Sequence, residues 1–254
     1  MSNRLEGRVA AISGSSRGIG LAVARAFLAE GAKVTINSRD PAVADRVAEE
    51  LGAGAVGVGA DVSTEAGAKT LVGATIEAFG RLDVMVNNAG MSAALPTLEL
   101  SLDRWQKVVD LNMTSVFLCS REAARHMLEA GGGSIINTAS IMSFSSFPRR
   151  LAYGATKAAV VMMTRMLAAE WAPTIRVNAV APGYTRTEMV EKLQAEGRID
   201  LEAIQHRTPL RRIARADEMA GAYTFLASDD ASYVTGETIV VDGGWLAFGA
   251  FEGA

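Results

Sequence analysis

The sequence predicts a doubly wound α/β fold built on a parallel sheet, and three observations carry that expectation. Short apolar runs of strand length alternate with stretches of helical periodicity along all 254 residues. The first run, residues 9–13, passes directly into Gly14-Ser15-Ser16-Arg17-Gly18-Ile19-Gly20 and then into the apolar helical stretch 21–29. No internal repeat, low-complexity segment or linker breaks the alternation, so one domain spanning 1–254 is expected.

In chain order the candidate strands are 8–13, 33–37, 55–59, 82–86, 134–139, 175–180 and 238–241. Helices are expected at 18–30, 41–51, 64–79, 102–130, 152–171 and 217–227, with a looser helical patch around 187–206. The run Gly131-Gly132-Gly133 reads as a helix stop before the fifth strand, not as a domain boundary. The glycine turn between the first strand and first helix suits a pyrophosphate. Glycines allow a tight turn and close approach, and the helix N-terminus offers amides and a positive dipole. Its spacing is Gly-x-x-x-Gly-x-Gly, and a turn of this kind could also serve packing alone.

Composition excludes several classes. A hydrophobic fraction of 49% supports a substantial core, and a net charge of −3 leaves no basic surplus for nucleic acid. No apolar stretch approaches the roughly 20 residues that span a bilayer, and the short lead from Met1 to Glu6 shows no targeting segment. With one cysteine, Cys119, in an apolar helical stretch, a disulfide framework is excluded and a packed thiol is expected. Cytoplasmic residence is the default that follows. His126 and His206 are the only histidines, neither has a metal-ligand spacing with Cys119, and a Ser-His-Asp site would have to recruit one of these two poorly placed residues. No metal site and no serine-hydrolase site is expected.

The chemistry concentrates later. Tyr153 and Lys157 stand four residues apart in a helical run, with Ser140 upstream. Positions i and i+4 share a helix face. A nearby cation lowers the pKa of a phenol from its usual value near 10, toward the range where acid–base catalysis works. By itself a Tyr-x-x-x-Lys pair is commonly two unrelated surface residues.

Taken together, Gly14/Gly18/Gly20, Asp61-Val62, Asn87-Asn88-Ala89-Gly90, Asn112, Ser140, Tyr153/Lys157 and Pro182-Gly183 stand in the order and at the separations of one family. Over nearly all of its length the chain resembles the short-chain dehydrogenase/reductases, and the resemblance implies a Rossmann-like fold. It implies Asn112, Ser140, Tyr153 and Lys157 as the catalytic set. Tyr153 would donate a proton to the carbonyl oxygen and Ser140 would orient that oxygen. Lys157 would lower the Tyr153 pKa and bind nicotinamide ribose, and Asn112 would hold a water linking Lys157 to solvent.

Further cofactor contacts carry over position by position. The turn supplies Gly14, Ser16, Arg17, Gly18, Ile19 and Gly20. Asp61 and Val62 would meet the adenine edge, and Asn88, Ala89 and Gly90 the adenine-ribose side. Asn87 is open between that role and bracing the sheet. Pro182, Gly183, Thr185 and Thr187 would hold the carboxamide. Thr185 stands where the family often has Ile, and Ser13 where Thr is more usual. Cofactor choice is argued from the second strand's end, where a carboxylate would favour NAD(H). Here Ser38 holds that place and Arg39 follows. A guanidinium pairs well with phosphate, and Arg17 could close on the same group. NADP(H) is therefore expected in preference to NAD(H).

A small carbonyl or alcohol substrate is expected between the 141–151 loop and roughly 184–210. Met142, Phe144, Phe147 and Tyr184 suggest apolar walls. Arg149 and Arg150 are open between meeting an anionic or polyhydroxylated substrate and being solvated loop arginines, the latter favoured. A ketone, sugar or polyol, or small cyclic ketone is the favoured substrate. The alternative is a 3-oxoacyl-[acyl-carrier-protein] reductase, disfavoured because 128–133 and 168–173 lack the Arg and Lys that dock an acidic carrier. A non-catalytic nucleotide-binding regulatory protein is the second alternative. The family resemblance further implies a homotetramer, or a homodimer, through the long helices at 102–130 and 152–171.

Overall fold

A computed structural model describes residues 3–249; Met1 and Ser2 of the expected lead, and 250–254 of the expected single unit, lie outside them. Seven strands alternate with helices. The strands are β1 (Val9–Ile12), β2 (Lys33–Ser38), β3 (Ala55–Gly59), β4 (Val84–Asn87), β5 (Gly133–Thr138), β6 (Ile175–Pro182) and β7 (Thr238–Val241). All pair in parallel in the order β3-β2-β1-β4-β5-β6-β7. The order reverses between β1 and β4, and ligands of open α/β sheets bind at such a switch point, beyond the carboxyl ends of the strands.

The helices are α1 (Gly18–Ala29), α2 (Pro41–Leu51), α3 (Glu65–Phe79), α4 (Leu102–Val109), α5 (Ser115–Ala130), α6 (Leu151–Trp171), α7 (Glu188–Ala195), α8 (Leu201–Arg207) and α9 (Asp217–Ala227). They cover both faces of the sheet. One core packs Val23 and Phe27 of α1 and Tyr223 and Leu226 of α9 against Ile12, Ile36, Val86 and Val180. The other packs Leu71 of α3, Cys119 and Met127 of α5 and Ala168 of α6 against Met85, Ile135 and Val177. The central strands β1 and β4 are buried along their full length, which explains why they read as continuous apolar runs.

Two expected helices differ from the structure. The single helix expected at 102–130 is broken by a π-turn at Asp110–Thr114, between α4 and α5. The looser patch at 187–206 is two helices, each with its own cap: Thr187 Oγ1 accepts from the Val190 N–H at 3.4 Å and Asp200 Oδ1 from the Ala203 N–H at 3.1 Å. Among the described residues no helix is long and apolar enough to cross a membrane. The Cys119 thiol is buried, and burial pushes its pKa up to about 12, as a packed thiol requires.

Candidate active site

The glycine turn after β1 is braced from three strands. Asn37, at the end of β2, accepts the Gly14 N–H at 3.0 Å through Oδ1. Its amide donates to the Val58 and Ala60 carbonyls near the end of β3. Ser13 Oγ accepts the N–H groups of Asn88 and Ala89 just beyond β4. Asn88 Nδ2 donates back to the carbonyls of Ser13 and Gly14 at 3.2 and 2.9 Å. The Asn88 amide nitrogen is thereby committed to the turn, while its neighbours Ala89 and Gly90 remain at the strand end. Gly14 has φ +61°, and a Cβ at Gly20 would lie 2.5 Å from Asn88 Nδ2 and 2.6 Å from the Gly14 carbonyl. Neither position admits a side chain without displacement.

Arg17 caps α1 in extended backbone with no side-chain cap bond, so the first amides of α1 lack an intrahelical or side-chain partner. That cradle, closed to side chains and open to an anion, fits the pyrophosphate of a dinucleotide. Beside it, Ser38 Oγ accepts from the Asp40 N–H at 3.2 Å. Arg39 is exposed, with no hydrogen bond or ion pair among the described residues. Arg17 is instead engaged by Glu188 of α7 at 2.9 Å, with both side chains mostly exposed. An ion pair that exposed contributes little and exchanges readily. Asp61 is exposed and accepts from the N–H and hydroxyl of Ser63. The Val62 side chain is buried in the same core cluster as Leu71, which leaves its backbone to face a ligand. Thr185 is buried and donates to the Gly183 carbonyl at 3.1 Å.

The putting-together of the catalytic candidates depends on α6 lying across the end of β5. Ser140 stands two residues beyond the end of β5 and its Oγ accepts the Met142 N–H at 3.1 Å, starting a short 3-10 turn. Ser143, in that turn, donates to the Lys157 carbonyl at 2.8 Å and pins the turn to α6. Lys157 is 4% exposed, and its Nζ donates to the Thr138 carbonyl at 2.6 Å and lies 5.9 Å from the centre of the Tyr153 ring. Burial pushes its pKa down to about 8.

The Tyr153 phenol is governed chiefly by its burial. Burial raises the Tyr153 pKa; Ser140 and then Arg150 oppose the rise, Tyr184 adds to it, and Lys157 is not among the groups acting on it. Desolvation of the phenol outweighs the nearby cations, and the Lys157 ammonium is directed at a strand carbonyl.

Asn112 has a bracing role. It sits in the π-turn, fully buried, and its Oδ1 accepts the Met91 N–H at 2.8 Å while Nδ2 donates to the Met91 carbonyl at 2.9 Å and Thr156 Oγ1 at 3.3 Å. The side chain holds the segment after β4 against α6. A Cβ at Gly90 would lie 3.3 Å from Asn112 Oδ1 and 3.7 Å from Lys157 Nζ. Gly90 therefore belongs to this cluster as much as to the adenine-ribose side.

Asn87, left open on sequence, braces the sheet: its Nδ2 donates to Ser120 Oγ and Asn137 Oδ1, both at 2.8 Å. Asn137 passes the chain to Thr164 Oγ1 at 2.9 Å. Trp245 and Arg207 were not among the site residues expected from sequence. Trp245, beyond β7, stacks on Phe147 with centroids 6.0 Å apart and meets Tyr184 edge-on at 5.4 Å. The Arg207 guanidinium covers Trp245 at 4.7 Å. Phe147 and Tyr184 thus form one wall, whereas Phe144 is 46% exposed. Arg149 is exposed, but Arg150 is buried, against the solvated reading.

A family model described as "Enoyl-(Acyl carrier protein) reductase" matches residues 14–246. The chain belongs to the short-chain dehydrogenase/reductase family. Galactitol 2-dehydrogenase (L-tagatose-forming) of Cereibacter sphaeroides is 42% identical over 249 residues, 96% of this chain and 97% of the relative. The 3-oxoacyl-[acyl-carrier-protein] reductase of Synechocystis sp. is 40% identical over 250 residues, 96% and 99% of the two chains. One curated relative is longer, and this chain spans 45% of its length. Among solved structures, a gluconate 5-dehydrogenase from Burkholderia cenocepacia J2315 in complex with NADP and tartrate superposes with a TM-score of 0.92 at 36% identity, covering 97% and 98% of the chains. As a short-chain dehydrogenase/reductase, the protein is an oxidoreductase acting between alcohols and ketones.

Proposed function

We propose that this short-chain dehydrogenase/reductase transfers a hydride between NADP(H) and the carbonyl or secondary alcohol of a small molecule, using Ser140, Tyr153, Lys157 and Asn112. The observation that carries the reading is the burial of the Lys157 ammonium one helical turn from Tyr153, with Asn112 and Gly90 packed round it. A buried lysine without a carboxylate partner is costly in structure alone.

When bound, the reduced cofactor supplies a hydride to the carbonyl carbon. The glycine turn and first turn of α1 would hold its pyrophosphate. Arg39 would meet a ribose 2′-phosphate, joined by Arg17 on release from Glu188. Asp61, Ala89 and Gly90 would border the adenosine, the Val62 side chain only supporting them from the core. Pro182, Gly183, Thr185 and Thr187 would flank the nicotinamide through their backbone, since both threonine hydroxyls are engaged within the loop.

Tyr153 gives its proton to the oxygen on which negative charge gathers, and the Ser140 hydroxyl donates to the same oxygen. Lys157 orients the ribose, and its charge assists the phenolate once the hydroxyl proton has gone. Asn112 acts as a brace: it holds the π-turn, and a main-chain carbonyl there, not its occupied amide, would hold a water toward Lys157. One unit would carry both the cofactor and substrate sites.

Phe117, Leu128, Met162 and Met166 expose apolar surface on α5 and α6. They support a homotetramer or homodimer, checked by light scattering on the purified protein. A cytoplasmic location, where NADPH is plentiful, completes the proposal.

The likeness to a 3-oxoacyl-[acyl-carrier-protein] reductase favours a second reading, a carrier-bound 3-oxoacyl substrate. Initial rates of NADPH and NADH oxidation over ketones, keto-sugars and a 3-oxoacyl thioester separate the two. A polyol relative and a gluconate dehydrogenase neighbour support the small-molecule class. Tight NADPH binding with no turnover of any carbonyl would instead favour the non-catalytic alternative.

A further inference from the structure

Arg150 stands immediately before α6, three residues ahead of Tyr153, and is 8% exposed. Its guanidinium makes no hydrogen bond and no ion pair among the described residues. The groups that act on it, after burial itself, are Tyr184, Arg198, Tyr153 and Arg149, and no carboxylate is among them. Arg198 has its own counter-charge, Glu196 at 3.0 Å. A buried cation normally has a partner, because its desolvation is otherwise uncompensated. The N-terminal end of α6 carries a positive dipole, which makes this place less favourable still for a cation.

The backbone is also bent to bring it there. Arg149 has φ +62°, a left-handed conformation uncommon outside glycine. Strain of this kind persists where the surroundings enforce it and clusters at functional sites. Arg149 is exposed and the next residue is buried, with Tyr184 and Tyr153 among the groups that act on its charge.

We propose that Arg150 is the anion-recognition residue of the substrate site, so that the molecule presented to Tyr153 is a hydroxy acid or oxo acid carrying a carboxylate. The inference rests on the reductase reading given above. A guanidinium fork matches a carboxylate through two parallel N–H···O bonds. Groups one helical turn apart are neighbours, so one small molecule can reach both residues. Tyr184, with Phe147 and Trp245 behind it, would pack against the carbon skeleton between carboxylate and carbonyl. A dianionic phosphate is the poorer match, since Arg198 is already paired with Glu196 and Arg149 is exposed.

The test compares matched substrates in NADPH-linked assays: 4-oxocyclohexanecarboxylate against its methyl ester, and a keto-sugar acid against a neutral keto-sugar and a keto-sugar phosphate. The wild type is expected to favour acids in kcat/KM by about 10- to 100-fold, as a charged hydrogen bond provides. In Arg150→Met that acid-over-ester ratio should collapse toward one, chiefly through KM, and Arg150→Lys should restore part of it. A wild type indifferent to the carboxylate, or one that prefers the phosphate, overturns the proposal. So does an Arg150→Met variant that slows acid and ester equally with a displaced pH profile, which would make Arg150 a tuner of Tyr153. Calorimetric binding of the oxo acid to the NADP+ complex, lost in Arg150→Met and kept in Tyr153→Phe, supports the subsite independently of turnover. If no carbonyl is reduced, retained binding leaves the subsite standing while the reductase reading fails; absent binding removes both.

Discussion

The Lys157 ammonium donates to the Thr138 carbonyl across 2.6 Å, so the cation one helical turn from Tyr153 is anchored to the end of β5. Buried and lacking an anionic partner, it has a pKa of about 8 against the usual 10.5. Between those values the folded protein binds fewer protons than the unfolded chain, so stability should rise with pH across that window. Below about pH 8 the cost of burying the charge is present in full. Lys157→Met removes a penalty of up to about 3 kcal/mol and forfeits a hydrogen bond of about 1 kcal/mol. Melting of the cofactor-free protein at pH 7 should therefore shift up by about 2–6 °C while turnover is lost. The gain should shrink toward pH 10; a loss of Tm at pH 7 would contradict it.

Tyr153→Phe keeps the ring and removes the proton. Turnover should fall by about 10²- to 10⁴-fold. NADPH affinity, read from the quenching of protein fluorescence, should stay within about threefold. Appreciable residual activity would assign proton transfer to another group.

Asn112→Ala strips three hydrogen bonds from a fully buried site and leaves the Met91 N–H and carbonyl without partners. A loss of about 2–4 kcal/mol is expected in urea unfolding. Activity should fall with it, because the π-turn and the segment bearing Gly90 lose their common anchor. A neutral effect on stability would show that the brace is dispensable.

Arg39→Ala should weaken NADPH binding by about tenfold or more and leave NADH almost unchanged, since only the 2′-phosphate requires the charge. Ser38→Asp should reverse the preference by repelling that phosphate. Equal effects of Arg39→Ala on both cofactors would remove the basis for choosing NADP(H).

Gly20→Ala tests the cradle. Its Cβ would lie 2.5 Å from Asn88 Nδ2 and 2.6 Å from the Gly14 carbonyl. Overpacking of that kind costs about 1–3 kcal/mol, and displacement of the turn should abolish detectable cofactor binding. Wild-type affinity in a calorimeter would show that the turn can yield without consequence.

The parallel sheet, its alternation with helices, the glycine cradle and the candidates Ser140, Tyr153 and Lys157 were legible in the sequence, because each rests on local spacing or on order along the chain. Strand periodicity and glycine punctuation are near-neighbour properties, and the strand spans agree with expectation to within about two residues. What sequence could not decide were outcomes of competition in three dimensions. The π-turn at Asp110–Thr114 arises where Asn112 bonds to Met91 and Thr156, partners distant in sequence. The Tyr153 pKa depends on burial against charge, and only packing determines which prevails. Arg149 and Arg150 are chemically the same residue at adjacent positions, yet a positive φ at the first leaves one in water and one beneath the surface. Residue order sets which groups meet; their solvation, and hence their chemistry, is set by what the fold places around them.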